Sequence, residues 1–225
     1  IKDTIKNINI VIGCSIGCSY CYARMNNNRF HTIDDFNKPV FFENKLKMLD
    51  NKRHTAYLLT GQSDLSGWNE EWKDKVFSKM KENENTQYIF LTKRPENIKL
   101  KETPDNGWFG VTVTSSKEKT RIDYLRNNIK AKHYHITFEP MFDDVGKLDL
   151  SNISWIVIGT ETGNRKGKIS SKREWVFNIY NQAKEKNIPV FMKEDLLPIM
   201  GEAQMVQEFP PAIYERRFIR NFKRR

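Results

Sequence analysis

Trp155-Ile-Val-Ile-Gly159-Thr-Glu-Thr-Gly163 is an apolar, β-branched run that breaks at a glycine into a polar turn. The same design recurs along the chain, at Ile8–Ile12, Ala56–Thr60, Tyr88–Thr92, Phe109–Thr114, His133–Phe138 and Val190–Lys193, which read with Trp155–Gly159 as seven strands. Helical patterns lie between them. Pro39 suits the first turn of a helix running to about Leu49. Asn69 suits the cap of a helix whose Trp72, Val76 and Met80 fall four residues apart. Ser115 with Glu118, and Ser171 with Glu174, read as capping boxes. Ile122, Leu125 and Ile129 follow the first, and Trp175, Ile179 and Ala183 the second. Strands alternating with helices predict a parallel sheet with helices outside. A complete barrel of eight such units needs about 250 residues. A chain of 225 residues therefore predicts an α/β fold, an incomplete TIM-like barrel of about six to seven parallel strands.

Composition narrows the class. At 38% hydrophobic and 12% aromatic residues the chain can build a core and is not a disordered segment. No run of eighteen apolar residues is present, so no membrane span is expected. The opening Ile1-Lys-Asp-Thr-Ile-Lys6 has no secretory character, and the expected location is cytoplasmic. Net charge is +10, and residues 214–225 carry +5 of it. That stretch also sets Tyr214, Phe218 and Phe222 on one helical face. It reads as a basic aromatic tail following a barrel domain of residues 1–213. The tail is either a docked terminal helix with solvated charges or a binder of nucleic acid or an acidic partner.

Parallel α/β folds bind their ligands beyond the carboxyl ends of the strands, and those ends are polar here. They read Thr60-Gly61-Gln62-Ser63-Asp64, Thr92-Lys93-Arg94, Thr112-Val-Thr114-Ser115, Thr137-Phe-Glu139, Gly159-Thr160-Glu161 and Met192-Lys193-Glu194-Asp195. Alternation puts His133, His135, Thr137 and Glu139 on one face of their strand, facing the interior, and Tyr134, Ile136 and Phe138 on the other, under the helices. A ring of this kind costs free energy unless its members are paired or used. A Lys–Glu salt bridge across the barrel is the plain alternative to a catalytic role.

The remaining signal is the cysteines. All three lie in Cys14-Ser-Ile-Gly-Cys18-Ser-Tyr-Cys21. Three thiolates can hold three irons of a cubane cluster and leave the fourth iron open, whereas an electron-transfer cluster normally takes four. A structural zinc would want a fourth ligand, and His31, His54, His133 and His135 lack the short pairwise spacing of zinc motifs. A disulfide would leave one cysteine odd, in the wrong compartment. The residues from Tyr22 to Lys38 read as a long loop carrying Arg24, Arg29, Phe30, His31 and Phe36, either shaping a substrate site or covering the cluster.

The C-x3-C-x-aromatic-C spacing resembles the signature of the radical S-adenosylmethionine (SAM) superfamily. Several further segments look like its narrower mobile pair protein A group and related phage-borne three-cysteine proteins. They are Gly13–Arg24, Asp34–Pro39, Leu91–Pro95, Gly110–Thr114, Thr137–Pro140, Trp155–Gly163 and Pro189–Glu194. The resemblance implies a partial (β/α)6-type barrel and a [4Fe-4S] cluster on Cys14, Cys18 and Cys21. It implies reductive cleavage of SAM to methionine and a 5′-deoxyadenosyl radical that abstracts hydrogen from a substrate. By position, Gly61, Gln62, Ser63 and Asp64 stand where the family holds the methionine amino group, although only one glycine is present and the acid differs. Tyr20 stands where adenine is contacted. Thr114 and Glu139 stand where later strands supply polar contacts to ribose and carboxylate, Ile156-Val-Ile-Gly159 resembles the apolar strand and glycine that line adenine, and Thr92 and Thr160 are further cofactor-binding candidates. Lys93, Glu161, Lys193 and Glu194 remain as candidate catalytic residues, with Arg94 beside them. The implied partners are a low-potential donor such as flavodoxin or ferredoxin and a companion radical SAM protein encoded alongside on mobile DNA. The basic tail and that partner favour a macromolecular substrate, nucleic acid or protein. The rival expectations are a cluster-bearing accessory subunit and a nucleic-acid-binding module with a structural metal.

Overall fold

The computed structural model describes residues 1, 4–51 and 56–214. The expected tail falls outside them from residue 215 onward. In chain order the strands are β1 (Ile5–Asn7), β2 (Val11–Ile12), β3 (Val40–Phe41), β4 (Ala56–Leu58), β5 (Gln87–Thr92), β6 (Gly107–Thr112), β7 (His133–Phe138), β8 (Ile153–Ile158) and β9 (Val190–Met192). Seven of them form one parallel sheet in the order β1-β4-β5-β6-β7-β8-β9. The sheet curls into a half-barrel whose two edge strands, β1 and β9, do not pair with each other. The residues after β9 protect that edge: Met192 donates to the Val206 carbonyl, and Glu208 to the Val190 carbonyl.

The first expected strand is corrected. Ile5–Asn7 takes the sheet edge, and Val11–Ile12 leaves it to pair antiparallel with Val40–Phe41. Ile8, Ile10 and Val11 are all buried in the main core, so this stretch does not alternate as a one-faced strand would. The helix expected from Pro39 is corrected as well. Val40 and Phe41 are β-formers that complete the small sheet, and a 3-10 helix follows at Glu43–Asp50.

The helices are α1 (Tyr22–Phe30), α2 (Glu70–Glu82), α3 (Thr120–Asn128), α4 (Arg173–Glu185) and the short α5 (Leu197–Met200). Asn69 caps α2 as predicted, its side chain accepting from the Trp72 N–H at 2.9 Å. The two capping boxes do not form. Glu118 turns back onto Thr114, accepting from its N–H (2.7 Å) and hydroxyl (2.8 Å). Ser171 ties its own segment to Thr160 and Met141. The long loop expected after the cysteines is largely α1. It buries only Ala23 and Asn27, so it has too little apolar period to be read as a helix.

The outer face of the sheet carries the main core, in which Phe90 and Phe109 stack at 4.9 Å and Phe77 of α2 meets both edge-on at 5.9 Å. Ile136 and Phe138 lie on this side, as alternation predicts. The inner face is apolar at its base, where Ile89, Trp108, Trp155 and Phe191 pack under Phe209 and Ile213. His133 stacks on Trp108 at 4.3 Å. His135 is buried above that floor, and burial pushes its pKa down to about 4, which leaves it neutral. Its Nε2 lies 3.0 Å from the Phe90 carbonyl, an acceptor, so Nε2 carries the proton.

Gly110 makes this placement possible, because a Cβ there would sit 2.4 Å from the His135 ring. Gly110→Ala should therefore cost about 1–3 kcal/mol of stability by overpacking. Denaturant unfolding of Gly110→Ala, His135→Ala and the double variant checks this. The double variant should cost less than the sum of the single changes, and strict additivity would mean that the ring does not occupy that space.

Candidate functional site

The cysteine loop rests against the loop after β4. Gly13 and Ser63 form a parallel bridge, and the Gly13 N–H donates to the Gln62 carbonyl at 3.0 Å. Gly13 has φ of +114°, and a Cβ there would stand 2.9 Å from the Pro39 backbone, so the position needs glycine. The Cys14 N–H donates to the Phe36 carbonyl at 2.6 Å, and its own carbonyl accepts from Arg24 Nη2 at 2.7 Å. Arg24 is held in turn over the Phe36 ring at 5.0 Å. Cys21 caps α1, its Sγ accepting from the Arg24 N–H at 3.4 Å.

All three cysteines are free and partly exposed. Burial pushes the Cys14 thiol up, the Ile16 N–H opposes this, and negative charge on Asp64, Cys18 and Cys21 adds to it. A cationic iron–sulfur core takes such thiols as thiolates and offsets the negative charge gathered in this loop. Among the described residues no three His, Cys, Asp or Glu side chains converge to share a single metal ion. A cubane asks for something else, one thiolate on each of several irons. The donor set fits it.

Around this loop the strand ends hold the predicted residues in distinct roles. Asp64 is buried and fully engaged: Oδ1 accepts from Ser66 N (2.9 Å), Ser66 Oγ (2.7 Å) and Thr92 Oγ1 (2.6 Å), and Oδ2 from Lys93 N (2.8 Å). It organises the rim. The Gly61 carbonyl accepts from the Tyr22 hydroxyl at 2.7 Å, and Ser63 Oγ from Trp68 Nε1 at 3.0 Å. The Tyr20 ring lies edge-on to Phe142 at 5.5 Å and beneath Lys93 Nζ at 5.6 Å. Burial, followed by the charge of Cys18, pushes the Tyr20 phenol far up, so it stays protonated.

Across the mouth, Lys193 of the β9 end pairs with Glu139 of the β7 end. Gly159, between them at the end of β8, leaves the room: a Cβ would meet Glu139 at 3.1 Å and Lys193 at 3.2 Å. Burial lowers the Lys193 pKa, but the charge and hydrogen bond of Glu139 outweigh it and the net shift is upward. Glu161 is buried and chelates Arg165 through Nε (2.5 Å) and Nη2 (2.8 Å), and it accepts from the Ile169 N–H at 3.2 Å. The Arg165 guanidinium holds its carboxyl below the usual range. Thr160 accepts from the Ser171 N–H. Glu194 is exposed and pairs with the Ile1 nitrogen at 3.2 Å, feeling Lys193 through its charge without a hydrogen bond to the Glu139–Lys193 pair. The structure thus joins Glu139 and Lys193, turns Glu161 into a loop anchor and sets Glu194 apart.

Asp195 follows the β9 end, a position whose sequence context gives no signal of an unusual environment. Its Oδ1 is buried without a partner, and burial, with Glu139 nearby, pushes its pKa up to about 6. Only the fold reveals this, since its neighbours come from β7 and β8.

The family model described as "Protein of unknown function (DUF5131)" matches residues 1–202. The chain belongs to that family. No curated protein matches the sequence. Among solved structures, a cysteine-to-alanine variant of spore photoproduct lyase with a dinucleoside spore photoproduct is similar at 12% identity and a TM-score of 0.49, over 96% of this chain and 72% of that one. No helix among the described residues of this family member is long and apolar enough to cross a membrane.

Two consequences are measurable. Asp195 has a folded pKa above its unfolded value, so its ionisation destabilises the fold as pH rises from about 4 to about 6, and the penalty is constant above that. Asp195→Asn should melt above the parent at pH 7, and the gap should close by about pH 4. Thermal melts across that range check this; a gap independent of pH would remove the buried carboxylate from the account. Glu161→Gln weakens the hold on Arg165 and should cost about 1–3 kcal/mol. Trypsin should then cut faster at Arg165, Lys166 or Lys168, read by mass spectrometry of the fragments.

Proposed function

We propose that this protein is a radical SAM enzyme. The observation that carries the proposal is the C-x3-C-x-Tyr-Cys loop, with three free cysteines, seated at the carboxyl-end mouth of an open parallel half-barrel. Cys14, Cys18 and Cys21 would hold a [4Fe-4S] cluster. Bound together, cluster and SAM supply reductive cleavage of the sulfonium and a 5′-deoxyadenosyl radical that takes hydrogen from a substrate.

The chain's own residues position and exclude. Asp64 locks the loops after β4 and β5 through its four donors, so Gln62 and the Gly61–Ser63 backbone are set against the cysteine loop before any ligand arrives. Tyr20 and Phe142 offer an aromatic edge for adenine, and Lys93 adds a cation above it. Lys193, kept charged by Glu139, is suited to a carboxylate. Asp195, with its pKa near 6, can hold or release a proton beside that pair at neutral pH. A low-potential donor such as flavodoxin or ferredoxin would deliver the electron. The narrower likeness to the mobile pair protein A group, with its companion protein, belongs to this same reading.

Anaerobic reconstitution with iron and sulfide should load about four irons per chain. Dithionite and SAM should then yield 5′-deoxyadenosine, and Cys18→Ala should abolish both. A cluster that binds SAM without cleaving it would favour the accessory-subunit reading. Tightly bound zinc in place of iron would sink the proposal.

A further inference from the structure

Residues 162–173, Thr-Gly-Asn-Arg-Lys-Gly-Lys-Ile-Ser-Ser-Lys-Arg, contain five cations and no acid. They form the loop from β8 into α4, so they leave the sheet at the same carboxyl-end mouth as the cysteine loop. The loop is anchored rather than loose. Buried Glu161 grips Arg165 and the Ile169 N–H, Ser171 is tied to Thr160 and the Met141 carbonyl, and the Lys168 N–H closes a turn onto the Arg165 carbonyl at 3.1 Å. Gly163 and Gly167, at φ of +81° and +75°, permit the two reversals. Arg165 is thus taken up inside the loop, while Lys166, Lys168 and Lys172 are exposed and form no salt bridge among the described residues. At the end of β5, Arg94 likewise makes no salt bridge among the described residues, beside Lys93 and the Tyr20–Phe142 pair.

We propose, on the footing of the radical SAM reading, that this loop is a phosphate-backbone clamp and that the substrate brought to the mouth is a nucleic acid. A protein partner would call for a desolvated apolar or aromatic centre, and protein interfaces are depleted in lysine. This loop exposes one large apolar residue, Ile169, among lysines, serine, asparagine and glycine. Lysines with hydroxyl, amide and backbone donors are the groups that contact phosphates and sugars. Cations beside an aromatic edge are the means by which unpaired strands are held. The preformed loop geometry lowers the ordering cost of that contact.

The test is fluorescence anisotropy of the full chain with labelled single-stranded DNA and RNA dodecamers across a salt series, with poly-glutamate as competitor. Binding should be salt-dependent. In Lys166→Gln/Lys168→Gln/Lys172→Gln the slope of log K against log salt should fall by about 2, at about 0.7 per phosphate contact, with affinity at low salt down at least about tenfold. The corresponding triple Lys→Arg variant should retain binding, and circular dichroism checks that both variants fold. Arg216→Gln/Arg217→Gln/Arg220→Gln separates the tail. If that variant loses binding while the loop variant keeps it, the inference is wrong. Poly-glutamate competing as well as nucleic acid would point to an acidic protein instead and overturn it. Binding needs no cluster, so a chain that cleaves SAM yet ignores nucleic acid refutes the clamp alone. One that binds nucleic acid but loads no iron refutes the enzyme reading alone.

Discussion

A buried carboxylate must be matched by donors, and here that requirement orders the mouth of the half-barrel. Asp64 is nearly inaccessible and takes four hydrogen bonds, from Ser66, Thr92 and Lys93. Two of them come from its own turn and two from the end of the neighbouring strand, so the loops after β4 and β5 behave as one body. The Gly13–Ser63 bridge then fastens the cysteine loop to that body. Loss of the carboxylate would leave buried donors unmet at each of these points.

The interior is divided in height. Its base is packed with Trp108, Trp155, Ile89 and Phe191, closed by Phe209 and Ile213, which supplies the burial that holds the curled sheet. Its rim is ionic, with Glu139 and Lys193 meeting across Gly159 and Asp195 beside them. Neutral His135 lies above the base, on the space that Gly110 leaves. The apolar layer carries stability, and the polar groups are gathered in the layer above it. Gly110 on β6 and Gly159 just past β8 leave the room for these close approaches.

Much of the fold was legible because the repeated sequence design is physical. Apolar runs with polar ends, separated by helical periods, have few other solutions, and six of the seven expected strands take their places within a residue or two. The first did not, because Ile8, Ile10 and Val11 are all buried and hydrophobicity alone cannot tell a sheet strand from a stretch that leaves the sheet. Ser115 and Ser171 failed as caps because tertiary partners competed for the same hydrogen bonds: Glu118 went to Thr114, and Ser171 to Thr160 and Met141. Helix α1 was missed because its stability comes from Cys21, Asn27 and the loop beneath it rather than from an apolar stripe.

The sequence by itself determined the parallel α/β class, the clustering of the cysteines and the polar character of the strand ends, since all three depend on local order and spacing. Which of those polar groups are free to act was decided only by the tertiary structure. Glu161 and Glu194 look alike in sequence, yet one is buried on Arg165 and the other stands in solvent. Lys193 finds Glu139 from two strands away, and Asp195 is left with an unmatched oxygen. Pairing, burial and the resulting pKa depend on neighbours brought from distant parts of the chain, and spacing along one strand carries no record of them.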